Sequence, residues 1–198
     1  MKLTNSILAS VLFILLLFLT YYIHIAFFNV NVVFYAAIAD GIISAVLTGA
    51  LVFLIPYFRS LSGFEKLLLL IIWLLGGYAF SISVPTVIDR SLSFYILEKI
   101  QQRGGGIKED RIEDVFTKEY VKEHRLMDVR LTEQLESGTI IIDNGCVKLT
   151  KKGDEIASFG RFFRKNFLPR KRLLMGEYTD DLTDPFRDDQ YSGDYRCK

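Results

Sequence analysis

The sequence predicts an α-helical membrane protein: three transmembrane helices followed by a small α+β soluble domain. Three observations carry this. Residues 1–89 contain three long apolar runs in which Lys2, Arg59 and Lys66 balance Asp40, Glu65 and Asp89. An Asn-Gly pair further on lies between two short apolar runs, the strongest local signal for a β-hairpin. Charge is also segregated: residues 90–147 carry nine Lys/Arg against eleven Asp/Glu, 148–172 nine against two, and 173–198 three against seven. The organisation expected is a bundle over 1–89, a soluble domain with a basic terminal segment over 90–172, and an acidic tail over 173–198 that reads as disordered.

The first run, Ile7 to Phe28, has 22 residues and His24 as its one potentially charged member. That length crosses a hydrocarbon core of about 30 Å at about 1.5 Å per residue. It is too long for the apolar core of a signal peptide, and no small-residue cleavage site follows directly, so a retained span is expected. Asn29-Val30-Asn31 is short enough to force an antiparallel hairpin with the second span, Val32 to Tyr57. The third span runs from Leu67 to about Val84, with Pro85 and Asp89-Arg90 expected to close it.

Span two is the most informative. Ala37, Gly41, Ala45 and Gly49 recur every fourth residue, and Asp40, Ser44 and Thr48 recur beside them. Both series fall on one helical face, where small side chains permit close backbone approach and polar ones bond across to a partner helix. The face is therefore an interface, inside the bundle or with another membrane protein. An ionisable residue inside a span also stands as a functional hypothesis, so Asp40 is a candidate proton or ion site; interfacial water about two turns away is the alternative.

Beyond the joint at Ser83 to Arg90, helices are expected over Ser91–Gln102, about Lys108–Phe116 and about Lys118–Glu136, with Gly104-Gly105-Gly106 and Ser137-Gly138 as stops. Thr139 to Asp143 and Cys146 to Leu149 then flank Asn144-Gly145, and Thr150 caps a last helix. The run Leu135-Glu136-Ser137-Gly138-Thr139-Ile140, the hairpin, and Leu149-Thr150-Lys151-Lys152-Gly153 resemble the carboxyl half of a winged-helix domain. The resemblance covers about Ser91 to Phe163 and implies a winged-helix-like fold, not a function. A DNA-reading role would fall to the helix ending at Glu136. Past Lys118 that helix holds Lys122, Arg125 and Arg130 against Glu119, Glu123, Asp128, Glu133 and Glu136. A net −2 surface repels phosphate, which disfavours nucleic acid as a partner.

The basic block has different chemistry. Phe159, Phe162, Phe163 and Phe167 interleave with Arg161, Arg164, Lys165, Arg170, Lys171 and Arg172. Anionic lipid headgroups suit that pattern; a solvated, partly packed terminal helix followed by a charged loop is the alternative, and nucleic acid is a third reading.

Catalytic signals are missing from the sequence. Gly104 to Gly106 lacks the Lys-Ser/Thr of a phosphate loop, no GxSxG elbow occurs, and His24 and His124 are remote in sequence. No catalytic residue, cofactor or metal is assigned. Cys146 and Cys197 have no metal-binding spacing and are expected as unpaired thiols. Thr86-Val87-Ile88-Asp89-Arg90-Ser91-Leu92-Ser93 is similar to a stretch in small membrane proteins of bacterial surface-polysaccharide gene clusters, which implies work beside enzymes of polyprenyl-linked glycans.

The leading expectation is thus a non-catalytic accessory protein of a bacterial inner membrane that docks to a membrane enzyme or transporter. A membrane-tethered transcription regulator and a small transporter or enzyme subunit using Asp40 are the alternatives. Positive charges flanking the spans tie at three against three, leaving orientation open, with a cytoplasmic soluble domain as the working expectation.

Overall fold

The computed structural model describes residues 2–183 and residue 185. Three helices are long and apolar enough to cross a bilayer, Lys2–Phe27, Val33–Leu54 and Gly63–Arg90, so the chain is a membrane protein. The first two are α1 and α2; the third comprises α3 (Gly63–Ser81), a π-helical turn (Ile82–Thr86) and α4 (Val87–Arg90). Pro85 therefore does not end the span, which closes at Asp89-Arg90. The wider π turn contains the proline, whose missing N–H and ring would break a regular α-helix.

α2 is the central helix and packs against both others. Its buried residues are Ala37, Asp40, Gly41, Ser44, Ala45, Thr48, Gly49 and Val52, the small-and-polar face extended by one turn. Ala9, Phe13, Leu17, Ala45, Val52 and Trp73 join three helices in one core. Phe13 stacks on Trp73 with centroids 5.9 Å apart, and the indole N–H donates to Ser10 Oγ at 3.2 Å. At the end of the bundle holding the amino terminus, Asn5 Nδ2 donates to Ser60 Oγ at 2.8 Å. There Ser62 and Glu65 form a capping box, satisfying the first orphan amides of α3.

The chain divides into two compact units, one ending at Met127 and one beginning at Asp128. This differs from a division at residue 90, because α4 passes through the Ser91 cap directly into α5 (Leu92–Gln102). Tyr95 of α5 is buried with Val115 and Tyr120. The helices expected over 108–116 and 118–136 are divided elsewhere. A 3-10 turn (Glu109–Arg111) leads into α6 (Ile112–Asp114), a π turn (Val115–Tyr120) and α7 (Val121–Glu123). The break comes at Arg125, whose φ of 44° is left-handed and ends the helix before α8 (Leu126–Glu136).

In the second unit β1 (Ile140–Asp143) and β2 (Cys146–Leu149) pair antiparallel, with Ile140 opposite Leu149 and Asp143 opposite Cys146. Asn144 and Gly145 have φ of 50° and 75°, as a type I′ turn requires. Thr150 Oγ1 donates to Gly138 O at 2.8 Å and accepts from Gly153 N at 3.1 Å, capping α9 (Lys151–Phe167) and fastening it to the strand start. Gly153 lies against the Thr139 carbonyl, so a Cβ there would collide with it.

Two expectations are corrected here. The segment after Arg172 does not begin as disorder: β3 (Arg172–Leu174) pairs with β4 (Glu177–Thr179) across Met175 and Gly176, both at positive φ. Leu173, Leu174 and Tyr178 supply the strand-forming side chains that the acidic composition obscured. The rest of the expected acidic tail, residue 184 and residues 186–198, lies outside the described residues. Cys146 is disulfide-bonded and not an unpaired thiol; its sequence spacing carried no information on that.

Candidate intramembrane site

The hairpin of α1 and α2 brings two polar residues together below one end of the bundle. Asp40 lies seven residues into α2, about 10 Å along the axis from its start. His24 occupies the last turn of α1. Each is eight positions from Val32 at the hairpin turn, so an antiparallel pair sets them at the same depth.

His24 Nδ1 and Asp40 Oδ1 are 2.8 Å apart. The direction of this bond follows the imidazole tautomer: with Nδ1 protonated it donates to the carboxylate, and Nε2 is the ring's remaining polar atom. Phe28 meets the ring edge-on, with centroids 5.8 Å apart. Asp40 is 1 % exposed, whereas the His24 side chain is 27 % exposed. The second carboxylate oxygen, Oδ2, is buried without a hydrogen-bond partner among the described residues, as is Ser44 Oγ one turn along the same face. An unpaired buried acceptor costs about 1–3 kcal/mol, and more if charged. The chain bears that cost at a position enclosed on the buried face of α2.

A cleft of about 320 Å³ runs between α1 and α2 over this pair, lined by Thr20, Ile23, His24, Phe28, Asp40, Ile43 and Leu47. Ile23, Phe28, Ile43 and Leu47 are themselves exposed on the surface of the bundle. The cleft is thus a mostly apolar groove with one carboxylate and one imidazole in its lining, the usual build of a small-molecule site. Among the described residues no group of three His, Cys, Asp or Glu comes together, so the pair offers a metal ion only two such ligands.

Each residue singled out in the sequence has a defined place. Ala37, Gly41, Ser44, Ala45, Thr48 and Gly49 are used inside the chain. Gly41 backs onto Gly77 of α3, Gly49 onto Leu70, and Thr48 Oγ1 donates to Ser44 O at 2.7 Å. The face is therefore filled and is not open to another protein. Arg161, Arg164 and Lys165 project from α9, Arg170 and Lys171 follow it, and Arg172 begins β3, all away from Asp40 in sequence and in the other unit. His24 is the member of this pair that the sequence alone does not single out; equal spacing about the hairpin turn is the signal that could have found it.

A second polar cluster lies outside the membrane helices. Lys99 Nζ bonds Glu123 at 2.7 Å and Glu119 at 3.2 Å, Tyr95 Oη donates to Glu123 at 2.8 Å, and Arg103 pairs with Glu119 at 2.6 Å. Burial, then the bond to Glu123, pushes the Tyr95 phenol up to about 12. The bond to Glu123 raises Lys99, and the bond to Lys99 lowers both Glu119 and Glu123. These charged groups satisfy one another, so the cluster is a clasp holding α5 to the helix ending at Glu123.

Comparison with protein-family models, with curated proteins and with solved structures gives no match.

Proposed function

We propose that this chain is a membrane subunit whose bundle receives the polar end of an amphiphile at Asp40 and His24, as an accessory to a membrane enzyme or transporter. The single observation that carries this is the buried, unpartnered Oδ2 of Asp40, a residue that lines a mostly apolar groove. An ionisable group inside a membrane span is costly and is read by default as functional. A lone acceptor selects a donor, so the group received is a hydroxyl or an amine. A phosphate placed there would be repelled by the carboxylate.

The accessory role rests on what surrounds the pair. Among the described residues the pair has no third His, Cys, Asp or Glu beside it, and the hydroxyls near it, Thr20 in the cleft wall and Ser44 one turn along, suit a polar contact, so binding is the reading preferred over reaction. The similarity of 86–93 to proteins of surface-polysaccharide clusters suggests polyprenyl-linked glycan assembly as the setting. In that setting the contact would be with a hydroxyl of the amphiphile. Docking to a partner through the Asp40–Gly49 face loses its support, since α1 and α3 occupy that face.

A winged-helix-like soluble part remains our reading of 91–163, supported by the type I′ wing and by the Thr150 clasp on Gly138. The tethered-regulator alternative gains nothing: α8 carries Asp128, Glu133 and Glu136 against Arg130, and Arg130 is paired with Glu133 at 2.9 Å.

Photolabelling tests the proposal. In nanodiscs, a diazirine-bearing long-chain alcohol is expected to label peptides spanning 20–28 and 40–47, and excess unlabelled alcohol but not alkane should compete. Asp40→Leu should cut that labelling about tenfold, the equivalent of one lost hydrogen bond to a charged group. Equal competition by the alkane, or undiminished labelling of a folded Asp40→Leu protein, would overturn it.

A further inference from the structure

The terminal helix α9 has no use in the intramembrane site, and its composition is unusual for a surface helix. Its first turn is anchored by Gly153, the only buried residue in the helix. Beyond that turn Ile156, Phe159, Phe163 and Phe167 recur at spacings of three and four, hence along one stripe, and each is between 42 % and 64 % exposed. Phe163 contacts Phe159 at 6.0 Å and stacks on Phe167 at 5.3 Å, so the stripe is a continuous aromatic surface. No Asp or Glu occurs from Ile156 to Gly176, whereas Arg161, Arg164, Lys165 and the run 170–172 supply six positive charges. Met175, at the tip of the following hairpin, is 89 % exposed.

We infer that α9 lies in the headgroup region of an anionic bilayer, its aromatic stripe turned into the acyl boundary and its cations on lipid phosphates. Charge complementarity chooses this occupant. A protein groove that took the Phe stripe would also have to neutralise six cations, while an anionic leaflet supplies apolar depth and negative charge together. The chain brings the surface with it, since three helices of the same polypeptide cross a membrane. Phenylalanine left in water along a whole helix has no other compensation, because the aromatic side chains touch chiefly one another. The placement is independent of the Asp40 reading: either can fail while the other stands.

The test uses the full chain in nanodiscs, with a nitroxide attached through p-acetylphenylalanine in place of Phe163. In discs containing a third phosphatidylglycerol the label should be accessible to oxygen and shielded from a water-soluble nickel chelate; in pure phosphatidylcholine it should become water-accessible. Arg161→Gln with Arg164→Gln should weaken partitioning by about tenfold or more, and 0.5 M salt should act in the same direction. Equal accessibility in both lipids would overturn the inference. So would shielding that requires added nucleic acid, or shielding that tracks protein per disc and brings spin–spin broadening, which would mark a second copy as the occupant.

Discussion

Gly41 of α2 and Gly77 of α3 meet backbone to backbone. A Cβ built on Gly77 would lie 2.9 Å from Gly41 Cα, and one on Gly41 would lie 3.1 Å from Gly77 Cα. This crossing sets the separation of the two helices and therefore the seat of Asp40, which precedes Gly41 by one residue.

Gly77→Ala should consequently destabilise the bundle by about 1–3 kcal/mol, since the obstructing atoms are main chain and cannot rotate away. Gly76→Ala is the control, because its Cβ would find only Phe13 at an ordinary 3.7 Å. Steric-trap unfolding in bicelles should separate the two variants, and equal stabilities would contradict the crossing.

In the second unit Gly153→Ala should loosen the junction between the β1–β2 hairpin and α9, because the new methyl would strike the Thr139 carbonyl. A loss of about 2 kcal/mol or more is expected. Gly160→Ala meets no atom within 4 Å and should instead stabilise α9 by up to about 1 kcal/mol. Amide exchange across 139–167 reads both, with opposite signs.

The Lys99 clasp predicts a stability plateau. Glu119 and Glu123 have lowered values in the folded state, so their contribution is complete above the ordinary carboxylate range near 4.3 and is lost as pH falls through their lowered values. Lys99 is raised and Tyr95 sits at about 12, so their contribution is complete below about 10 and is lost as pH rises through the raised values. Exchange protection over 92–102 should be flat from about pH 5 to 9 after correction for intrinsic rates. Glu123→Gln should lower that plateau modestly, because the Glu123 side chain is 47 % exposed and solvent screens the pair.

Much of this arrangement is legible in the sequence, and the reasons are physical. The three spans follow from apolar length alone, and Asn144-Gly145 and Thr150 specify the wing turn and the start of α9. The Ala37–Gly49 face was legible as a packing surface, but its occupant was not, since Gly76-Gly77 matches it only once the helices are registered about the turn near Arg59. Pro85 misled because a π turn absorbs it, and Arg125 misled because nothing in its side chain announces a left-handed backbone. His24 has no charged sequence neighbours to mark it, although the short hairpin fixes its depth opposite Asp40. Which carboxylate oxygen lacks a partner depends on side-chain rotamers, beyond the reach of residue pattern.

The central claim is that Asp40 Oδ2 awaits a donor on an amphiphile. Infrared difference spectroscopy of the full chain in nanodiscs, with and without a long-chain alcohol, reads that oxygen directly. A carboxylate-region difference band is expected that appears with the alcohol, is missing with the matching alkane, and disappears in Asp40→Asn. An alcohol-minus-alkane spectrum with no carboxylate band, or one that persists in Asp40→Asn, would contradict the account.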